Sequence, residues 1–225
     1  MTGSPSPMIA PVAVSSIPTA TEPSPDETAA DEVFVFPASF AQERLWFLDQ
    51  FDPGSAVYML PRSYYFNWPV DIDALARALN EIMRRHEVLR TAFARSDGEV
   101  MQVVAPALAL PLPVIDLRAM PESTRDSEFQ RIAAQEVSQP FDLATGPLLR
   151  AKLVTLGHVA HVLLLTMHHI VSDAWSCDIL YRELTALYGA FAAGRPSPLG
   201  ELAVQYADFA QWQRALLSGA RKGRG

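Results

Sequence analysis

The chain has 225 residues, 49% of them apolar, with a single cysteine and a formal net charge of -7. That suffices for one domain with its own core, but excludes an internal disulfide and the concentrated basic face that nucleic acid requires. No lysine or arginine precedes Arg44, and the longest proline-free, charge-free apolar stretch, around residues 162–167, is far short of the roughly 20 residues that span a bilayer. A soluble chain in the reducing cytoplasm is therefore expected.

Residues 1–31 are rich in Pro, Ser, Thr and Ala and lack apolar periodicity, the composition of a flexible leader that cannot offset its ordering entropy. Order is expected from about Val33. Ser39 and Gln42 have the spacing of a capping box and should open a helix carrying Leu45, Trp46 and Leu48, closed before Pro53-Gly54. A strand is expected over residues 62–67. Asp71 or Asp73 should cap a second helix whose Leu75, Leu79, Ile82 and Met83 form one apolar stripe. Residues 91–95 and 99–104 predict two strands joined at Asp97-Gly98, a favoured hairpin dipeptide. After proline-broken sequence, a third helix is expected over 126–138. Residues 148–155 and 159–168 suggest a second hairpin, its later strand apolar enough to be covered on both faces. Ser172 or Asp173 can cap a long helix that Gly194 and Pro196 end, and a last helix should run over 204–217. Strands and helices are mixed without regular βαβ alternation, which points to an α/β two-layer sandwich with a mixed sheet.

The segment Met167-His168-His169-Ile170-Val171-Ser172-Asp173-Ala174-Trp175-Ser176 carries the chemistry. An apolar strand ends in two histidines and turns within four residues into a capped helix. Successive strand side chains point to opposite faces, so one imidazole should face a cavity while the other packs behind it. Imidazole titrates near neutrality, which suits it to accept a proton from an amine or hydroxyl nucleophile. Asp173 can cap the helix or pair with an arginine, with Arg85 and Arg90 as candidates. Adjacent histidines aim apart and no third ligand follows at a recognisable spacing, so a metal site is not expected. Ser172 lacks the glycine-flanked elbow of a serine nucleophile. Two core histidines beside an ordinary capping aspartate remain the competing reading of this stretch alone.

This stretch resembles the HHxxxDG signature of nonribosomal-peptide-synthetase condensation domains. Three further segments resemble the same family in order. Ser39-Phe40-Ala41-Gln42-Glu43-Arg44-Leu45-Trp46-Phe47-Leu48 is similar to SxAQxRLWxL. Arg85-His86-Glu87-Val88-Leu89-Arg90-Thr91-Ala92-Phe93 is similar to RHExLRTxF. Tyr206-Ala207-Asp208-Phe209-Ala210-Gln211-Trp212 is similar to YxDYAxW, with Phe209 in place of a tyrosine. The connection from Gln139-Pro140-Phe141-Asp142-Leu143 to Leu148-Leu149-Arg150-Ala151 is also family-like, so the resemblance covers about residues 33–215. One departure matters: Ala174 stands where the family has glycine, which is tolerable only if that residue does not need positive φ.

The resemblance implies a chloramphenicol-acetyltransferase-like single lobe over 32–199, with 200–225 a connecting helix toward a second lobe. It implies amide formation between substrates carried on phosphopantetheine arms, which carrier proteins deliver; no cofactor bound by the chain itself is implied. His169 would sit at the reaction centre, supported by His168 and Asp173. Family members are about twice this length and place their channel between two lobes, so the chain is expected to be incomplete alone. Two alternatives follow: a trimeric acyltransferase that uses coenzyme A or carriers and forms its site between subunits, as chloramphenicol acetyltransferase does, or a non-catalytic module that binds carrier proteins. Cys177 should be a core thiol, His158 and His161 should belong to the hairpin, and Trp46, Trp175 and Trp212 should pack in the core or at a lobe interface.

Overall fold

The computed structural model describes residues 33–222. The expected leader over residues 1–31 and the final residues 223–225 lie outside the described residues. In chain order the elements are β1 (Phe34–Pro37), α1 (Phe40–Phe51), β2 (Met59–Phe66), α2 (Ile72–Arg85), a 3-10 turn (Glu87–Arg90), β3 (Thr91–Ser96), β4 (Glu99–Val104), β5 (Val114–Asp116), α3 (Glu122–Ser138), β6 (Leu149–Thr155), β7 (His161–His168), α4 (Ala174–Ala192) and α5 (Tyr206–Lys222).

Local chemistry sets most of these boundaries. The Ser39 hydroxyl accepts from the Gln42 amide while the Gln42 side chain accepts from the Ser39 N–H, a complete capping box for α1. Asp71, rather than Asp73, caps α2 by accepting from Ala74 N at 2.9 Å. Asp97 (φ 51°) and Gly98 (φ 88°) both adopt positive φ, the primed turn whose twist matches the β3–β4 hairpin. Gly194 takes φ 67° just past the end of α4, a conformation open to it without a Cβ clash. α3 starts at Glu122, four residues before the expected start at Asp126, because Pro121 occupies the N-cap, where its missing N–H costs nothing.

Two sheets form. The smaller is antiparallel in the order β1-β4-β3; the larger has the order β2-β7-β6-β5, antiparallel except that β5 runs parallel to β6. The mixed sheet matches the α/β expectation, whereas β1 and β5 were not foreseen. Both are short: β1 begins exposed and β5 holds three residues, so neither shows a usable alternation.

β7 is buried along its whole length, paired on one side with β2 and on the other with β6. Its two faces meet different partners. Leu163, Leu165 and Met167 join one core cluster with Leu75, Leu79, Ile82 and Met83 of α2 and Leu180, Leu184 and Leu187 of α4. Val162 and Leu164 join a second cluster with Phe129 and Ile132 of α3. Burying each such side chain contributes roughly 1.5–3 kcal/mol, so this strand is fixed from both sides. No helix among the described residues is long and apolar enough to cross a membrane.

Candidate active site

The strand alternation that divides the core continues to the end of β7 and divides the two histidines. Met167 and the residue after next, His169, both line a cavity of about 510 Å³ that Ala41, Leu45, Ile82 and Leu180 also enclose. His168 turns to the other face, where it is 1% exposed. It lies beside Tyr58 and edge-on to Phe141, each with ring centroids 6.3 Å away. The Ile170 N–H donates to His168 Nδ1 at 3.1 Å, which places the neutral ring's proton on Nε2. Burial, reinforced by the nearby His169, pushes the His168 pKa down to about 4. His168 is thus an uncharged structural ring, whereas His169 is exposed to the cavity and anchored through its backbone, its N–H donating to Tyr58 O at 2.8 Å.

Asp173 caps α4. Its Oδ1 accepts from the Ser176 N–H and hydroxyl, both at 2.7 Å. These bonds to Ser176, aided by the field of His169, hold its carboxyl below the ordinary aspartate value. Neither arginine weighed from the sequence pairs with it. Arg85 reaches Glu183 with two nitrogens at 3.2 Å and also donates to Gly200 O, while Arg90 binds Glu87 and the Ala105 carbonyl. Asp173 was close enough in sequence to be the cap, and that local option satisfies the carboxylate before any arginine is needed. Ala174 opens α4, and Asp97 is the only non-glycine residue with positive φ among the described residues. Alanine therefore fits the family's glycine position without backbone strain.

The four matched segments converge on this cavity. Ala41 and Gln42, His86 and Val88, His169 to Asp173, and Tyr206 all line it. Gln42 is the brace that sequence reasoning did not single out: beyond closing the capping box, its amide donates to Gln102 Oε1 at 3.1 Å and to the Ile170 carbonyl at 3.5 Å. Gln102 in turn donates to Pro37 O, so the turn after His169 is tied to the small sheet. The Tyr206 hydroxyl lies 3.0 Å from Ser39 Oγ, and Arg214 reaches Ala38 O and Glu43, which docks α5 against the start of α1. The family-like connection also has a physical role. Arg150 lies 3.9 Å over the Phe141 ring, bonds Glu136 at 2.7 Å and donates to the Gln139 and Pro140 carbonyls. Phe141, fixed in this way, backs His168.

Cys177, His161 and Trp46 lie where expected, whereas Trp175 and Trp212 do not pack in the core. Cys177 is buried 3.8 Å from Ser172 Oγ, His161 faces Thr155 across the hairpin, and Trp46 packs against the core. Trp175 and Trp212 are exposed, at 73% and 59%.

Comparison with known proteins agrees with this geometry. The chain is 50% identical over 179 residues to chondramide synthase cmdD of Chondromyces crocatus, covering 80% of this chain and 5% of that protein. It is 48% identical over 187 residues to phosphinothricin tripeptide synthetase PhsC of Streptomyces viridochromogenes, covering 83% and 17%. Among solved structures, the X-domain from teicoplanin biosynthesis superposes with a TM-score of 0.74 at 32% identity, over 84% of this chain and 40% of that one, and the X-domain is also solved in complex with OxyB. The first condensation domain of the calcium-dependent antibiotic synthetase, in complex with a substrate analogue, gives 0.74 at 25% identity over 85% and 46%. The chain thus spans a small share of its curated relatives and less than half of these solved ones. With the condensation domain family model matching residues 34–223, the chain belongs to the condensation domain family.

Proposed function

We propose that this chain supplies the histidine-bearing half of an amide-forming acyltransferase site. An amine held on one carrier protein's phosphopantetheine arm attacks the thioester carbonyl on another, the C–N bond forms, the C–S bond breaks, and the released thiolate takes up a proton. His169 orients the attacking amine and accepts its proton. His168 and Asp173 hold the turn on either side of it. The observation that carries this reading is the division at the end of β7: one ring sealed, the next opening onto the cavity where four family-like segments meet.

Residues 32–199 form the lobe and 200–225 lead toward a second lobe, which the length of the solved relatives supports. The setting is the cytoplasm, where carrier-linked assembly takes place. The chain covers 40% and 46% of the solved relatives, and holding two arms in register is worth more than the base: roughly 7–11 kcal/mol against a factor of about 10²–10⁴. Turnover accordingly requires the second lobe. The test is amide formation between acyl- and aminoacyl-loaded carriers, with the remaining half of a condensation domain joined to this chain. His169→Ala should reduce turnover at least a hundredfold; unchanged turnover would remove His169 from the chemistry.

A second reading has one observation in its favour. The X-domain, similar at 32% identity, is solved in a complex with OxyB, which supports a docking module without turnover. Carrier or partner binding by this chain, with no amide formation in the completed domain, would select it.

A further inference from the structure

The cavity beside His169 holds a second imidazole. His86 ends α2 as its C-cap residue and lines the same space. Its Nε2 lies 2.8 Å from Glu183 Oε2, and Arg85 grips the same carboxylate. Burial would raise the Glu183 carboxyl, but the bonds from Arg85 and His86 outweigh it and hold the group below its ordinary value. A carboxylate only accepts hydrogen bonds, so His86 donates from Nε2, and in the tautomer with the proton there Nδ1 is an acceptor.

Most other polar groups of the wall are already engaged. The Gln42 amide is committed to Ser39, Gln102 and Ile170. The Gln205 amide bridges Glu87 N and Arg85 O, and the Tyr206 hydroxyl is with Ser39. Asp173 Oδ1 accepts from Ser176, while Oδ2 has no side-chain partner among the described residues. Among the described residues, the two cavity-lining rings with an uncommitted nitrogen are His169 and His86, and the His86 side chain is 21% exposed. Around them the wall is apolar, with Leu45, Ile82, Val88, Leu89 and Leu180, so an unpaired polar group there discriminates strongly between ligands that satisfy it and ligands that do not.

We propose that His86, with Nε2 held by Glu183, is a specificity-determining residue of the cavity, its Nδ1 accepting a hydrogen bond from an N–H group of the bound substrate. The cavity then takes aminoacyl groups in preference to plain acyl groups of the same size. This rests on the acyl-transfer reading and assigns a residue to the choice of the amine-bearing substrate which that reading already requires.

The experiment uses the whole chain and two soluble probes that differ only in the amino group: the alanyl and propionyl thioesters of N-acetylcysteamine, titrated by NMR. The wild type should bind the alanyl probe about tenfold more tightly, the worth of one well-placed hydrogen bond. His86→Gln keeps a side-chain N–H where Nε2 stood but removes Nδ1. It should leave the propionyl affinity and the melting temperature unchanged and bring the alanyl affinity down to the propionyl value. In the wild type, the His86 Nδ1 resonance should move on adding the alanyl probe and stay put with the propionyl probe, a readout that stands even if the variant folds poorly. A preserved preference in His86→Gln, an equal loss for both probes with a lowered melting temperature, or an Nδ1 that already carries the proton, each overturns the proposal in favour of a purely structural clamp. Absence of binding by either probe to the wild type overturns this proposal alone, because the acyl-transfer reading is decided separately by amide formation in the completed domain.

Discussion

His168 and His169 are adjacent in sequence and belong to opposite sides of one sheet. Around His168 everything is closed: Tyr58, Phe141 and the Ile170 amide surround the ring, and the ion cluster of Glu136, Arg150 and Lys152 lies behind Phe141. Around His169 the backbone alone is held, while the ring is left free toward the cavity. The difference shows how a strand's two-residue period places one of two identical side chains in the interior and the other at a cavity. Stability should be concentrated on one side and turnover on the other.

The sharpest way to break that division is His169→Ala in a completed domain. Turnover should fall by about 10²–10⁴, while the melting temperature stays close to that of the wild type, since an exposed ring contributes little to packing. A large loss of stability would mean that the two histidines share the structural role. The reverse pattern is expected for His168→Ala: about 2–4 kcal/mol lost in chemical denaturation, because a fully buried ring leaves a void.

Acid provides a finer comparison. The folded His168 pKa, about 4, lies below its ordinary value of 6.5. As the pH falls, the unfolded chain therefore binds its proton first. The contribution is complete above pH 6.5 and is lost as the pH falls toward 4. Between pH 6.5 and 5, before the carboxylates titrate, the wild type should lose up to about 1 kcal/mol per pH unit relative to His168→Asn. Parallel curves for the two proteins would show that burial does not hold the ring neutral. The smallest effect is expected from Ala174→Gly. It restores the family's glycine at a position with no need of positive φ, so it should cost at most about 1 kcal/mol through helix propensity and leave probe binding unaltered.

Much of this was legible in the sequence, for identifiable reasons. The capping box at Ser39, the Asp97-Gly98 turn and the continuously apolar β7 are local signals, and each produced the expected element. Strand alternation alone separates the two histidines, although it leaves open which of them faces the cavity. The partners that reach across the fold were not legible. Glu183 meets Arg85 and His86 from α4, and Gln42 meets Ile170 from α1; these pairings depend on how helices pack, which no short window encodes. For the same reason the sequence does not reveal that Arg85 and Arg90, both candidates for Asp173, are engaged by Glu183 and Glu87. β5 escaped because its pairing with β6 is parallel and its three residues follow a run of prolines.

The register of β7 against β2 has a consequence for how the site comes into being. Met59 pairs with His168 and Phe66 with His161, so the strand that presents the histidines is secured by a segment synthesised long before it. Closing so large a loop is entropically slow, and contacts of this kind set the pace of assembly in sheet proteins. During synthesis, β2 must therefore wait, unpaired along that edge, until the last third of the chain arrives. The cavity-facing imidazole is placed only when the early and late parts of the polypeptide have found each other, which makes the cavity itself a late reporter of correct folding.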